Sequence, residues 1–143
     1  MAVVYFDASA LVKLVVDEPG SDLAAALWDG CDAAVTSRLS YPEVRAALAA
    51  FGRNRDLTPG ALQRAVIDWE EFWASTRPVE LTPSVAKLAG DVSATHGLRG
   101  ADGVHLASAL ACGDSNVIVA VWDRRLHASA RAAGLRVAPA RLD

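Results

Sequence analysis

The feature that most limits what this chain can fold into is the run Val117-Ile118-Val119-Ala120-Val121, unbroken apolar sequence dominated by β-branched side chains. A run this short and continuous reads as a strand buried on both faces, the condition of a parallel sheet covered by helices. Val3-Val4-Tyr5-Phe6 has the same character, and an aspartate follows each run: Asp7 directly, and Asp123 two residues on. Between the two runs, apolar residues recur at helical spacing. Leu11, Val12, Leu14 and Val15 mark a helix over Ala8 to Val16 that Glu18-Pro19-Gly20 stops, and Val44, Leu48 and Phe51 form one stripe from about Ser40 to Arg53. Strands alternating with helices imply an α/β domain with a mainly parallel sheet and right-handed crossovers.

The remaining elements follow from cap and turn chemistry. Ser21 to Trp28 reads as a helix with Ser21 as its N-cap, and Ala33 to Ser37 as the second strand. Thr58-Pro59 opens a helix running to about Ser75, with Asn54 to Leu57 as the turn before it. Pro78 to Leu81 is expected as a third strand, and Thr82-Pro83 starts a helix to about Thr95 that Gly97 closes. A helix over Ala101 to Cys112 precedes the strand at Val117, and a helix over Arg124 to Ala133, capped by Gly134, precedes a last strand at Leu135 to Ala138.

With 143 residues, the chain has the length of one domain and can close a core without disulfides or structural metal. The hydrophobic share of 52% favours a packed globule over a disordered chain. A formal net charge of -3 excludes a protein that holds nucleic acid by general phosphate neutralisation, so any such contact is local or metal-bridged. Cys31 and Cys112 form no CxxC pair and read as buried free thiols, not as a zinc site or disulfide. The opening MAVVYFDASALVKL has no basic leader and is interrupted by Asp7 and Lys13, so it reads neither as a signal peptide nor as a membrane span; a cytoplasmic location is the expectation.

Four acids occupy positions that an open parallel sheet brings together beyond the carboxyl ends of its strands. Asp7 follows the first strand, Glu43 lies early in the helix after the second, Asp102 starts a late helix, and Asp123 follows the Val117 strand. Gathered within several ångströms, such carboxylates repel unless a cation neutralises them, and oxygen donors select hard ions such as Mg²⁺ or Mn²⁺. An ion that also meets a scissile phosphate supports phosphodiester hydrolysis without a His or Cys nucleophile. Each acid has a structural alternative: Asp7 as a helix N-cap, Glu43 and Asp102 as first-turn charges favoured by the helix dipole, Asp123 as a turn residue or N-cap.

The residues around these acids resemble the PIN-domain family, and within it the VapC-type toxin nucleases. Val4-Tyr5-Phe6-Asp7-Ala8-Ser9-Ala10-Leu11-Val12-Lys13 is similar to the family's first motif, where the Asp binds metal and the Ser supports it. Thr36 to Leu48, containing Tyr41-Pro42-Glu43-Val44, resembles the second, Leu98-Arg99-Gly100-Ala101-Asp102-Gly103-Val104-His105-Leu106 the third, and Trp122-Asp123-Arg124-Arg125-Leu126 the fourth. The ordered set spans about Val3 to Val137; it departs from the family at Val121, where a Thr or Ser is usual. The resemblance implies a three-layer α/β/α fold with a sheet of about five strands, residues 1–143 forming a single PIN domain, and a projecting helical hairpin over about residues 40–75. It further implies an endoribonuclease toxin that uses Mg²⁺ or Mn²⁺ at Asp7, Glu43, Asp102 and Asp123, acts on RNA, is neutralised by a VapB-type antitoxin, and forms a homodimer.

Other residues fit around this reading. Ser9 is placed to orient Asp7, and Arg99, Arg124 and Arg125 to meet phosphates flanking the cut, with solvated surface roles as the alternative. His96, His105 and His127 invite a general-base reading, but no pair has metal-ligand spacing, and although His105 lies three residues after Asp102 on a helix, a catalytic His is the minor alternative. Trp69 and Trp73 share a helical face with Phe72 beside them, as core or as a partner-binding patch. An aspartyl-phosphate mechanism would need a second Asp where Ser9 stands, and a receiver domain would need an acidic pair and a late Lys that are missing. A catalytically degenerate scaffold that binds RNA or protein is the competing non-enzymatic reading.

Overall fold

The computed structural model describes residues 1–142. Their strands, β1 (Val3–Phe6), β2 (Ala33–Ser37), β3 (Arg77–Val79), β4 (Ile118–Ala120) and β5 (Arg136–Ala138), form one sheet in the order β3-β2-β1-β4-β5. All neighbouring pairs are parallel, with Tyr5 in register with Val35 on one side and Val119 on the other. The helices are α1 (Ala8–Val15), α2 (Ser21–Gly30), α3 (Ser40–Arg53), α4 (Pro59–Ala74), α5 (Pro83–His96), α6 (Gly100–Ala111) and α7 (Arg124–Ala132). This is the α/β arrangement the alternation requires.

The period of two along the strands divides the interior into two layers. Val4, Phe6, Ala34 and Ala120 face Leu11 and Val12 of α1, Val44 and Leu48 of α3, and Ala65 and Trp69 of α4. Val3, Tyr5, Ala33 and Val119 face Leu106 and Ala109 of α6 and Leu126 and Ala130 of α7. The hairpin of α3 and α4 therefore adds its inner stripe to the first layer, and Trp69 is fully buried there. Trp73 stacks beside it and, with Arg38, Tyr41, Pro42 and Leu81, lines a surface hollow. The tryptophan pair thus divides between the two roles expected for it. None of the helices formed by the described residues is long and apolar enough to cross a membrane.

Caps set the helix starts largely as the residue types dictate. Thr58 and Thr82 accept from the N–H groups of Ala61 and Val85, each ahead of a proline, and Gly97 closes α5 in the left-handed region. The N-cap of α2 is a correction: Gly20, at φ +95°, holds that position, and Ser21 is the first helical residue. The Ser21 hydroxyl turns back to donate to the Val16 carbonyl and accept from the Glu18 N–H, so it stitches the loop instead of capping the helix. Glycine is required at position 20 twice over, because a Cβ there would also lie 2.6 Å from the Trp122 indole nitrogen. The third strand begins at Arg77 and ends at Val79, short of the expected Leu81, which is solvent-facing ahead of the Thr82 cap. Cys31 and Cys112 are free but half-buried, not fully buried, and burial pushes the Cys112 thiol up to about 11.

α5 packs closely on α6 through the small residues Ala89, Gly103 and Ala107. A Cβ at Gly103 would sit 1.9 Å from Ser93 Oγ and 2.7 Å from the Ala89 carbonyl oxygen, a backbone atom that cannot rotate away. Gly103→Ala is therefore expected to destabilise the fold by about 1–3 kcal/mol, the scale of overpacking a close interface. Urea unfolding measures it; an unchanged midpoint would contradict this packing.

Candidate active site

The chain winds outward from β1 to β2 and β3 on one side, and later to β4 and β5 on the other, so the strand order reverses between β1 and β4. Helices leave the carboxyl ends of these two neighbours toward opposite faces, opening a crevice there. Asp7 and Asp123 stand on its two sides as the residues that start α1 and α7. Each is the N-cap of its helix: Asp7 Oδ1 accepts from the Ala10 N–H at 2.9 Å and Asp123 Oδ1 from the Leu126 N–H at 2.9 Å. The capping alternative weighed for both residues is thus real, and it engages only Oδ1 in each.

Ser9 joins the two sides. Its hydroxyl donates to Asp7 Oδ1 at 2.6 Å and accepts from the Trp122 N–H at 3.2 Å, tying the exit of β1 to that of β4. Trp122 is itself held by Gly20 against its ring edge and by Lys13, whose ammonium lies 5.2 Å from the ring centroid. Val121 points into the apolar layer and is fully buried, so no hydroxyl reaches the site from that position.

Glu43 lies in the first turn of α3 and Asp102 in the first turn of α6, where the helix dipoles favour negative charge. The helical segments between them place His105, one turn after Asp102, beneath the acids. Its Nε2 is 2.6 Å from Glu43 Oε1, its Nδ1 is 2.8 Å from the Tyr5 hydroxyl, and it is 3% exposed. With both nitrogens engaged and no access to water, His105 is not placed to act as a general base. Nothing local in the sequence joins these residues: Tyr5 and His105 stand 100 positions apart, and the only signals were spacings. Tyr5 shares the strand face of Asp7, and His105 shares the helix face of Asp102.

The electrostatics show that these groups feel one another. Burial raises the Asp7 pKa, the His105 charge and the Ser9 and Ala10 hydrogen bonds oppose the rise, and Asp123 adds to it. Burial also raises Asp102, with the charges of Asp123 and Glu43 adding and those of His105 and Arg99 opposing. For His105, burial favours the neutral ring, yet the Glu43 hydrogen bond and the charges of Asp7, Glu43 and Asp102 together raise its pKa. Among the described residues, no three His, Cys, Asp or Glu side chains form a closed metal-ligand group. The donors present are hard carboxylate oxygens in mutual repulsion, and they fit a hard divalent cation that keeps several waters and takes few carboxylates directly.

The three arginines are exposed, with Arg99 close enough to Asp102 to influence its ionisation and Arg124 and Arg125 opening α7 beside Asp123. The other histidines have separate surroundings. His127 is buried with its Nε2 2.7 Å from the Pro139 carbonyl oxygen, and His96 ends α5.

A doubly wound parallel sheet with acids placed at its switch point is an arrangement suited to a hard cation. The PIN-domain family matches residues 4–115, and the chain belongs to that family, which implies use of a divalent metal. It is 68% identical over 143 residues to Ribonuclease VapC45 of Mycobacterium tuberculosis strain CDC 1551 / Oshkosh, covering 100% of this chain and 99% of that protein. Ribonuclease VapC49 of strain ATCC 25618 / H37Rv of the same species matches at the same identity and coverage. Among solved structures, PAE2754 from Pyrobaculum aerophilum superposes with a TM-score of 0.70 at 20% identity, covering 95% of this chain and 83% of that one. A chain of a toxin–antitoxin complex from Klebsiella pneumoniae gives 0.65 at 14% identity with both chains fully covered. At those identities the likeness is one of fold.

Asp7→Asn preserves an oxygen acceptor for the Ser9 and Ala10 bonds while removing a buried charge. Because the folded Asp7 binds its proton more readily than the unfolded one, its contribution to stability declines as pH rises above the ordinary Asp range. In chelator at pH 7, Asp7→Asn is expected to melt a few degrees above the parent protein, with the gap closing as pH falls toward 4. A variant that melts lower at pH 7 would contradict the assignment of Asp7 as a strained, cation-seeking charge.

Proposed function

We propose that this chain is a metal-dependent endoribonuclease of the toxin kind, using Mg²⁺ or Mn²⁺ held at Asp7 and Asp102 with Glu43 and Asp123 completing the acidic rim. The observation that carries the reading is the placement of Asp7 and Asp123 as helix N-caps on the two sides of the β1–β4 crevice, with Asp102 in the first turn of α6. The names of the two proteins at 68% identity, both ribonucleases, support RNA as the substrate. When bound, the divalent ion supplies charge neutralisation at the phosphate and eases deprotonation of a water.

The chain's own groups do the rest. Ser9 keeps Asp7 Oδ1 fixed so that the other carboxylate oxygen faces the crevice, and Trp122 holds the β4 exit in place behind it. Arg99, Arg124 and Arg125, exposed around Asp102 and Asp123, are suited to grip phosphates flanking the cut by paired N–H donors. The net charge of -3 makes this local grip necessary, since the protein as a whole does not attract a polyanion.

An antitoxin partner is part of the same proposal. Fold neighbours come from toxin–antitoxin complexes, including one from Klebsiella pneumoniae and VapBC2 of Rickettsia felis, and the surface of the α3–α4 hairpin is offered both for that partner and for a homodimer. Cytoplasmic action belongs to the same proposal, as the compartment where RNA and an antitoxin would both meet the protein.

Cleavage of a structured RNA by purified protein, with and without added Mn²⁺, tests the reading. Activity is expected only with the ion, and Asp7→Asn is expected to reduce it by about a hundredfold or more, the scale of removing one preorganised electrostatic group. A folded Asp7→Asn variant with full activity, or undiminished cleavage in chelator, would overturn it.

A further inference from the structure

The buried contacts of His105 have a purpose that its exclusion as a base leaves open. His105 is almost wholly enclosed, yet it spends both ring nitrogens on polar partners, Tyr5 at 2.8 Å and Glu43 at 2.6 Å. Glu43, like Asp102, lacks a backbone cap of the kind that holds Asp7 and Asp123, and as a glutamate it has one more rotatable bond to fix than the aspartates. Its carboxylate stands at the end of a flexible side chain on α3, whereas the other acids ride on the exits of β1 and β4 and on α6.

We propose that Tyr5 and His105 form a positioning relay that fixes the carboxylate of Glu43 toward the metal site, His105 acting through Glu43 and touching neither ion nor RNA. The inference rests on the reading of Glu43 as a metal-site acid. Tyr5 lies in β1 two residues before Asp7, with its side chain on the same face of the sheet, and its ring meets that of His105 edge to face at 6.1 Å between centroids. The Tyr5 hydroxyl is fully buried and has Nδ1 of His105 as its hydrogen-bond partner at 2.8 Å. Nδ1 accepts from the Tyr5 hydroxyl in the neutral ring and donates to it in the protonated ring, and in both states the hydrogen on Nε2 is directed at Glu43 Oε1. The tyrosine thereby fixes the ring, and the ring directs the carboxylate. Groups of this kind, which hold a ligand without touching the ion, change metal affinity by about 10–100-fold when removed.

The relay predicts a difference between two conservative replacements. Asparagine at position 105 ends near where Nδ1 stood and does not reach Glu43; glutamine extends an amide N–H to about the position of Nε2. Mn²⁺ affinity is read from the free-ion paramagnetic resonance signal, which needs no RNA and no turnover, with melting curves to establish that each variant is folded. His105→Asn is expected to weaken Mn²⁺ binding about tenfold, His105→Gln to stay within about threefold of the parent, and Tyr5→Phe to fall between them. On RNA, kcat is expected to drop in His105→Asn with KM little changed. Folded Asn and Gln variants that bind Mn²⁺ equally, whether both at parental strength or both weakened, would overturn the relay, and so would a folded Tyr5→Phe with unaltered affinity. Glu43→Gln separates this failure from that of the underlying reading: if it binds Mn²⁺ as the parent does, Glu43 is no metal-site acid, whereas a weakened Glu43→Gln beside parental His105 variants removes only the relay.

Discussion

A buried carboxylate among other carboxylates is the constraint on which the rest of this structure turns. Asp7 is 4% exposed, and Asp123, Asp102 and Glu43 all stand within electrostatic reach of it or of one another. Taking a charge out of water costs several kcal/mol in effect unless partners compensate, and like charges add to that cost. Much of the local architecture answers it. Four helix N-termini, the Ser9 hydroxyl and the His105 ring all direct partial or full positive charge at the acids, and the residual repulsion is what a bound cation relieves. A site stable without its ion would have less reason to bind one.

Sheet topology makes this concentration of charge achievable. The reversal between β1 and β4 opens a crevice at the carboxyl end of the sheet, and the strands on either side lead into residues that cap their own helices. In each aspartate the cap is made by Oδ1 alone, so a single carboxylate oxygen suffices to hold the helix start. The packing of α5 on α6 through Gly103 supports the same purpose from below, because α6 carries both Asp102 and His105 and its seating sets where they stand. Fold stability and site geometry are therefore coupled through α6, and a change in that interface is felt at the acids.

Much of this was legible in the residues, for identifiable reasons. The strands at Val3 and Val117 announced themselves because a parallel core strand is apolar without alternation, and Thr58-Pro59, Thr82-Pro83 and Gly97 marked helix ends by local chemistry alone. The acids were legible because each lies at a strand exit or in a first turn, positions that any wound sheet of this kind gathers. Ser21 was misassigned as a cap because a serine ahead of a helix has two uses for its hydroxyl, and the packing of Trp122 on Gly20, a contact across a hundred residues of sequence, decided between them. The Tyr5–His105–Glu43 chain was not legible for the same reason. It joins a strand and two helices that are remote in sequence, and a lone histidine on a buried helix face carries no local sign of its partners.

The central claim is that Asp7 and Asp102 share one divalent ion at the switch point of the sheet. Crystals grown or soaked in millimolar Mn²⁺, with data collected near the manganese absorption edge, locate that ion directly by its anomalous scattering. The account predicts one dominant peak in the crevice between β1 and β4, at about 2.0–2.2 Å from a carboxylate oxygen of each aspartate, with waters filling the rest of its shell. An anomalous map without a peak there, in crystals where the two side chains are well ordered, would contradict it.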